Sequence, residues 1–346
     1  MEDKSNHMLT IAMISIVFLF FAIIDPILVF AGKGDLADIE DSVIVGKEKL
    51  AMIHDELERA AGKKEYNGVY LGDDGYLIER TAVNRFSTEE CDIKISLLKQ
   101  LTDKFGAHVM LVPSKACVLK EKLPTMADYF DEISFLKKVR EAVGEESYID
   151  VYGVLNNHRD EEIFYRTDSR WTTLGAYYGY ERWRNETQFY RYFYDPADLK
   201  SVKDDYLGPL SEKVPFAMTA DQIKIFPKTL QKEVTITFDF WNQRSGFYDD
   251  SYLESENPYG YFLGDHLGFA EIDTGNVRRK SLFILRDSTA DCMIPLLTPY
   301  YDTIYILDVK YYKGDLIQFM EKYVGEKDEV LILYDCLNFL EEFEYD

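Results

Sequence analysis

The chain has 346 residues and a mass of 40.3 kDa, enough for one large α/β domain or two modest ones, so length alone leaves the domain count open. Its formal charge is −23, from 39 Lys and Arg against 62 Asp and Glu. A polypeptide this acidic repels nucleic-acid phosphates and anionic lipid surfaces, which argues against nucleic-acid binding, while 47% hydrophobic and 15% aromatic residues argue against global disorder.

In chain order, residues 1–7 read as a short polar tail. Residues 8–31 are apolar apart from Asp25-Pro26, and since about 20 such residues cross a bilayer, they predict a transmembrane anchor. A cleaved signal peptide is the alternative, although no clear small-x-small cleavage site follows. Lys4 on one flank, and Lys33 among Asp35, Asp38, Glu40 and Asp41 on the other, give a weak bias. It places the tail in the cytoplasm and the body outside the cell membrane. Over 32–62, Val45, Leu50, Ile53 and Leu57 recur at spacings a helix places on one side, which predicts a juxtamembrane helix.

Residues 63–346 read as a folded body. Two short apolar runs, 68–71 and 76–78, flank Gly72-Asp73-Asp74-Gly75, a turn-rich tetrapeptide that predicts a hairpin. A helix is predicted from Thr88, taken as its N-cap, to Phe105. Residues 109–113 suit a buried strand, 128–143 a helix and 148–151 a strand. The middle, 190–276, is irregular, with one strand expected at 234–238. Strands at 281–285, 303–307 and 329–333 are separated by helices at 290–297 and 315–324. Such alternation predicts a parallel sheet with helices on both faces. Cys91, Cys117, Cys292 and Cys336 lack metal-site spacing, so they are core thiols or up to two disulfides, and neither a metal nor another cofactor is expected.

Two stretches carry the residue types chemistry needs. Arg286-Asp287-Ser288-Thr289 follows the strand at 281–285, and a serine at such a strand-to-helix turn sits where α/β sheets bind ligands. On the residues alone, capping of the next helix by Asp287 or Ser288 is the commoner use. The second stretch places Asp168 and Arg170 two residues apart, beside Ser169, Trp171 and several hydroxyls. Alone it reads first as an exposed ion pair worth under about 1 kcal/mol. Tyr177, Tyr178, Tyr190, Tyr192 and Tyr194 offer flat faces suited to sugar rings, or else a half-buried helix or strand face.

The block Thr167-Asp168-Ser169-Arg170-Trp171-Thr172 resembles the Asp-His-His-Trp-Thr signature of the DHHW family, related to SGNH-type hydrolases and to the alginate O-acetylation proteins. Asn67-Gly68-Val69-Tyr70, Val112-Pro113-Ser114-Lys115, Arg286-Asp287-Ser288-Thr289-Ala290 and Leu331-Ile332-Leu333-Tyr334 agree in order, so the resemblance covers roughly 66–340. It implies a flavodoxin-like, SGNH-like α/β domain anchored outside the membrane. The nucleophile position is then Ser288, the acid position Asp168 and the base position Arg170; Ser169 stands where the first histidine would. Ser169, Trp171 and Asp287 remain as binding residues. The implied partner is a cell-envelope glycan or a protein of an O-acetylation machine.

A serine hydroxyl needs a partner that takes its proton near neutral pH, which His does with a pKa of about 6.5 and Arg, above about 12, does not. The expectation is therefore a catalytically degenerate, membrane-anchored binding domain. The alternative is an active serine esterase or O-acetyltransferase with a substitute base, for which His266, after a glycine turn ahead of the serine block, is the candidate. His108 and His158 read as structural, and His7 and His54 lie in the tail and the juxtamembrane helix.

Overall fold

The structure, a computed structural model, describes residues 62–187, 193–231, 233–265, 267–277 and 280–345. The predicted anchor at 8–31 and all but the last residue of the juxtamembrane helix lie outside these, as do His7, His54 and His266. Among the described residues, no helix is long and apolar enough to cross a membrane. The elements below belong to one unit, Glu65–Val214 with Met218–Asp346.

The described residues open with three short antiparallel strands, β1 (Glu65–Tyr66), β2 (Val69–Leu71) and β3 (Leu77–Glu79). The predicted hairpin is present, with Val69 opposite Glu79 and Leu71 opposite Leu77; Asp74 at φ 56 and Gly75 at φ 77 make the reversal between them. Helix α1 (Thr88–Phe105) starts one residue earlier than the sequence suggests. Ser87, not Thr88, is the cap: its Oγ accepts from the Glu90 amide at 3.2 Å while its own amide donates to Glu90 Oε2 at 2.7 Å, a reciprocal capping box.

After α1 come β4 (His108–Val112), α2 (Lys115–Val118), α3 (Glu132–Val143), α4 (Tyr152–Asn157) and α5 (Thr173–Glu186). Then follow β5 (Lys200–Tyr206), β6 (Asp221–Ile225), β7 (Thr235–Phe238), β8 (Asn242–Ser245) and β9 (Phe269–Asp273). The chain ends with β10 (Ser281–Arg286), α6 (Ile294–Leu297), β11 (Thr303–Leu307), α7 (Leu316–Tyr323), β12 (Glu329–Asp335) and α8 (Cys336–Glu342).

A seven-stranded sheet runs in the order β4-β12-β10-β11-β9-β7-β8. Its first four strands are parallel, with Ile284 of β10 opposite both Ile306 and Leu331. The purely parallel sheet expected from the sequence is corrected to a mixed one, because β9, β7 and β8 add antiparallel. The reason is connection length. Only 239–241, with Asp239 and Phe240 at positive φ, join β7 to β8. The link from β9 to β10 is also short, whereas a parallel crossover needs a dozen residues or more. Residues 148–151 form no strand, only a bridge from Tyr148 to Val109. The helix predicted at 290–297 is a 3-10 turn, Ser288–Ala290, followed by the one-turn α6 with its Pro295.

Side chains alternate across each central strand. Met110, Ile284, Ile306 and Leu331 join a core on one face with Ala176, Tyr180 and Trp183 of α5 and with α6. Val109, Phe283, Leu307 and Ile332 join a second core on the other face with α1, α3, α7 and α8. Helices thus cover both faces. All four cysteines are free and buried, which selects the core-thiol reading over disulfides.

Candidate functional site

Parallel strands deliver their carboxyl ends to one edge of the sheet, where α/β folds bind ligands. At the end of β10, Arg286 and Asp287 leave the strand and Ser288 opens the 3-10 turn. The capping alternative holds for Asp287 alone: its carboxylate accepts from the Thr289 amide at 3.1 Å, from the Asp335 amide at 3.3 Å and from Asn338 Nδ2 at 2.7 Å. Asp287 is therefore a buried brace that fixes the serine turn to the start of α8. Ser288, only partly buried, keeps its hydroxyl free of capping duty.

The signature block reaches this edge as a tight reversal. Phe164 bridges Trp171, and the Tyr165 amide bonds the Arg170 carbonyl at 3.2 Å. Asp221 of β6 holds the loop from below, accepting from the Arg166 amide at 2.7 Å and from the Thr167 amide and hydroxyl at 2.8 and 2.6 Å. The buried Lys115 ammonium adds bonds to the carbonyls of Tyr165, Arg166 and Leu77, tying the hairpin to the loop. Glycine is required at 208, where a Cβ would lie 2.5 Å from Asp168 Cβ and 2.7 Å from the Thr167 carbonyl. Trp171 is fully buried and donates its Nε1 to the Thr289 carbonyl at 2.7 Å, locking the signature loop to the serine turn.

These constraints bring three of the predicted residues together. The Asp168 carboxylate receives Arg170 Nε and the Arg170 amide at 2.9 Å each, with Arg170 Nη2 and the Tyr206 hydroxyl on its other oxygen. Arg170 Nη1 lies 3.4 Å from Ser288 Oγ, and its guanidinium stacks 3.5 Å above the centre of the Tyr259 ring. Tyr259 in turn donates its hydroxyl to the Ser288 carbonyl at 3.2 Å. The exposed-ion-pair reading of Asp168 and Arg170 is corrected: their side chains are 1% and 12% exposed. Burial would raise the Asp168 pKa, but the Arg170 charge and hydrogen bonds hold it below the ordinary carboxylate value. Burial opposes the Arg170 charge too, yet Asp168 and Tyr206 keep the guanidinium pKa well above its usual value. It is a fixed cation, able to orient an anion or a carbonyl and unable to accept a proton.

No described histidine approaches Ser288. His108 begins β4, at the opposite end of the parallel strands, and packs edge-on to Trp183; His158 stacks on Tyr178 at 3.8 Å and its Nδ1 meets Glu161 at 2.7 Å. His266 lies outside the described residues. The tyrosine cluster follows the half-buried alternative where it is described, with Tyr177 and Tyr178 on α5 and Tyr194 in the core. Tyr206 and Tyr259 were not singled out in the sequence; both come from the irregular middle, where no period marks one tyrosine from another.

Around the site lie buried acids whose pKa values burial raises: Asp291 to about 7 and Asp308 to about 6, both flanking Arg286, and Glu132 to about 7. Glu132 accepts from the Ser114 amide and hydroxyl. A carboxyl with a raised folded pKa favours the native state most below its unfolded value, and that contribution is lost as pH rises through the folded pKa. Glu132→Gln should therefore gain on the wild type as pH rises from about 4.5 to about 7, by roughly 1–3 kcal/mol, and the gap should then stay flat. Urea midpoints at pH 5 and pH 8 test this; a gap independent of pH would contradict it.

The description "DHHW protein" matches residues 129–307 of the chain, just over half its length. Among solved structures, a DHHW family protein from Eubacterium siraeum DSM 15702 superposes at a TM-score of 0.65, with 19% identity over 80% of this chain and 93% of that one. Bacillus cereus PatB1 bearing a sulfonyl adduct superposes at 0.64, with 17% identity over 80% and 100% of the two chains. At these identities the likeness shows a shared fold. The O-acetyltransferase domain of Pseudomonas putida AlgJ aligns more loosely, at 13% identity and a TM-score of 0.44 over 81% of this chain and 94% of that one, too loosely to bear on function. No curated protein sequence matches the chain.

Proposed function

The chain belongs to the DHHW family, and from that membership and the arrangement at Ser288 we propose that it is a catalytically silent member, which binds a cell-envelope glycan or its acyl esters without turning them over. The family's relation to the alginate O-acetylation proteins supplies the substrate class. The observation that supports silence is the Arg170 guanidinium in the base position, paired with Asp168 through Nε and Nη2 and with Nη1 3.4 Å from Ser288 Oγ. A permanent cation there polarises a bound carbonyl or holds an anion, and it leaves the serine proton with no histidine acceptor among the described residues. The body is anchored outside the cytoplasm through residues 8–31, a reading supported by their apolar length.

The full-length chain in detergent should hydrolyse p-nitrophenyl acetate no faster than Ser288→Ala, and a sulfonyl fluoride should leave Ser288 unlabelled by mass spectrometry. Ser288-dependent turnover or labelling would overturn silence and favour an enzyme that recruits another base, His266 first. The anchor is tested by fractionation: a full-length chain recovered in the soluble fraction would remove it.

A further inference from the structure

A cavity of about 200 Å³ opens beside the signature loop, on the side of Ser169, and the walls it shares with the site are Ser169, which separates Asp168 from Arg170, and Asn338, which holds Asp287. Its charges are already answered. Arg85 pairs with Glu341 at 2.9 Å, Arg80 with Glu65 at 3.1 Å and Glu79 with Lys213 at 2.7 Å, while Lys115 spends its ammonium on three carbonyls. A phosphate or carboxylate would have to compete with an existing partner at each of these cations. Among its neutral or two-sided groups, Ser169 Oγ, Thr81 Oγ1, Asn338 Oδ1 and one carboxyl oxygen of Asp335 have no hydrogen-bond partner among the described residues.

Asp335 is 8% exposed. Its Oδ1 accepts from the amides of Leu337 and Asn338 at 2.9 and 3.0 Å, as the cap of α8, which leaves Oδ2 unpartnered. A cap needs one acceptor, so the second oxygen is left over to line the cavity. Burial, with the neighbouring Asp287 and Glu132, pushes the pKa of this carboxyl well above the usual carboxylate range. With Oδ1 occupied by two amides, Oδ2 is the oxygen left to the cavity, an acceptor that also donates when the carboxyl carries a proton.

We propose that this cavity binds one neutral, hydroxyl-rich ring, a monosaccharide unit of a glycan, with Asp335 Oδ2 and Ser169 Oγ as its inner contacts. Sugar hydroxyls match the mixture of donors and acceptors left open, and the volume admits a single ring. This deepens the glycan-binding reading given above. It assigns Ser169 a role that a histidine at that position would not fill in the same way, since a hydroxyl is shorter and leaves the cavity open.

The test is saturation-transfer NMR on the full-length chain in detergent with glucose, mannose and N-acetylglucosamine, and with glucuronate as the charged analogue. At least one neutral sugar should bind with a dissociation constant on the order of 1 mM, as a few hydrogen bonds without an aromatic platform allow. Asp335→Asn, which keeps a donor on a neutral group, should bind within about threefold of the wild type. Asp335→Ala and Ser169→Phe should each weaken binding by about tenfold or more. Ser169→Phe, at a partly exposed position, serves where loss of the Asp335 cap unfolds α8, and melting curves separate the two effects. No saturable signal from any neutral sugar, tighter binding of glucuronate, loss in Asp335→Asn, or undiminished binding in Ser169→Phe would overturn the site. Ester turnover is scored separately: a chain that binds sugar and hydrolyses esters keeps this site and loses the silent-enzyme reading.

Discussion

Asp168→Ala is expected to lower the stability of the fold by about 3–5 kcal/mol, the usual penalty for leaving one member of a buried ion pair alone. Asp168 accepts four hydrogen bonds, three of them from Arg170 and one from Tyr206. Without it, a guanidinium only 12% exposed faces the Tyr259 ring and the Ser288 hydroxyl with its hydrogen-bonded counter-charge gone. Arg170→Met should cost clearly less. The carboxyl it strands can take up a proton and keep its bond to Tyr206, whereas a stranded guanidinium has no neutral form within reach. The double variant Asp168→Ala with Arg170→Met should cost less than the sum of the two singles, because it removes both charges from the interior. Urea denaturation of the four proteins at one pH measures the cycle. An Asp168→Ala protein within about 1 kcal/mol of the wild type would mean the pair is solvated and the site is looser than described.

The frame of this domain was legible in the sequence where one local period dominates. The runs at 109–113, 281–285, 303–307 and 329–333 are short, apolar and bounded by turns, and all four became the parallel part of the sheet. The hairpin was equally plain, because Asp-Asp-Gly admits the left-handed residues its reversal needs. The antiparallel edge was not, since strand direction depends on connection lengths across a region whose strands are weakly patterned. The cap of α1 was misplaced by one residue, although Ser87 and Glu90 stand at capping-box spacing.

The site was legible only in its family-marked parts. Ser288, Asp168 and Arg170 were found through the resemblance and meet at the sheet edge. Tyr206, Tyr259 and Asp335 complete that edge, and they sit on three different elements with nothing local to link them. Burial of the Asp168 and Arg170 pair also follows from tertiary packing, so two residues that look like a solvated pair in one dimension become the most constrained charges of the site.

Arg170→His should raise acetyl-ester hydrolysis by about 10²-fold over the wild type, toward the lower end of what a positioned general base contributes. The backbone of the loop is ready for it, since the Arg170 amide and carbonyl are both bonded independently of the side chain. The guanidinium already spans the required gap, with Nε against Asp168 and Nη1 toward Ser288. Those nitrogens are separated by one carbon, as are the two of an imidazole, so a histidine can donate one N–H to Asp168 and present the other nitrogen to Ser288 Oγ. Its shorter stem stops about one bond nearer the backbone, which is why the lower end of the range is expected. The gain should vanish in the Ser288→Ala background. It should also appear as a rate that climbs with pH through the titration of the new imidazole, near or above about 6.5 because Asp168 stabilises its charged form. Arg170→Gln is the control that removes the cation without supplying a base. Equal rates for Arg170→His and Arg170→Gln would mean that more than this one side chain separates the domain from catalysis. A gain confined to Arg170→His would identify the guanidinium as the element that silences an otherwise competent serine.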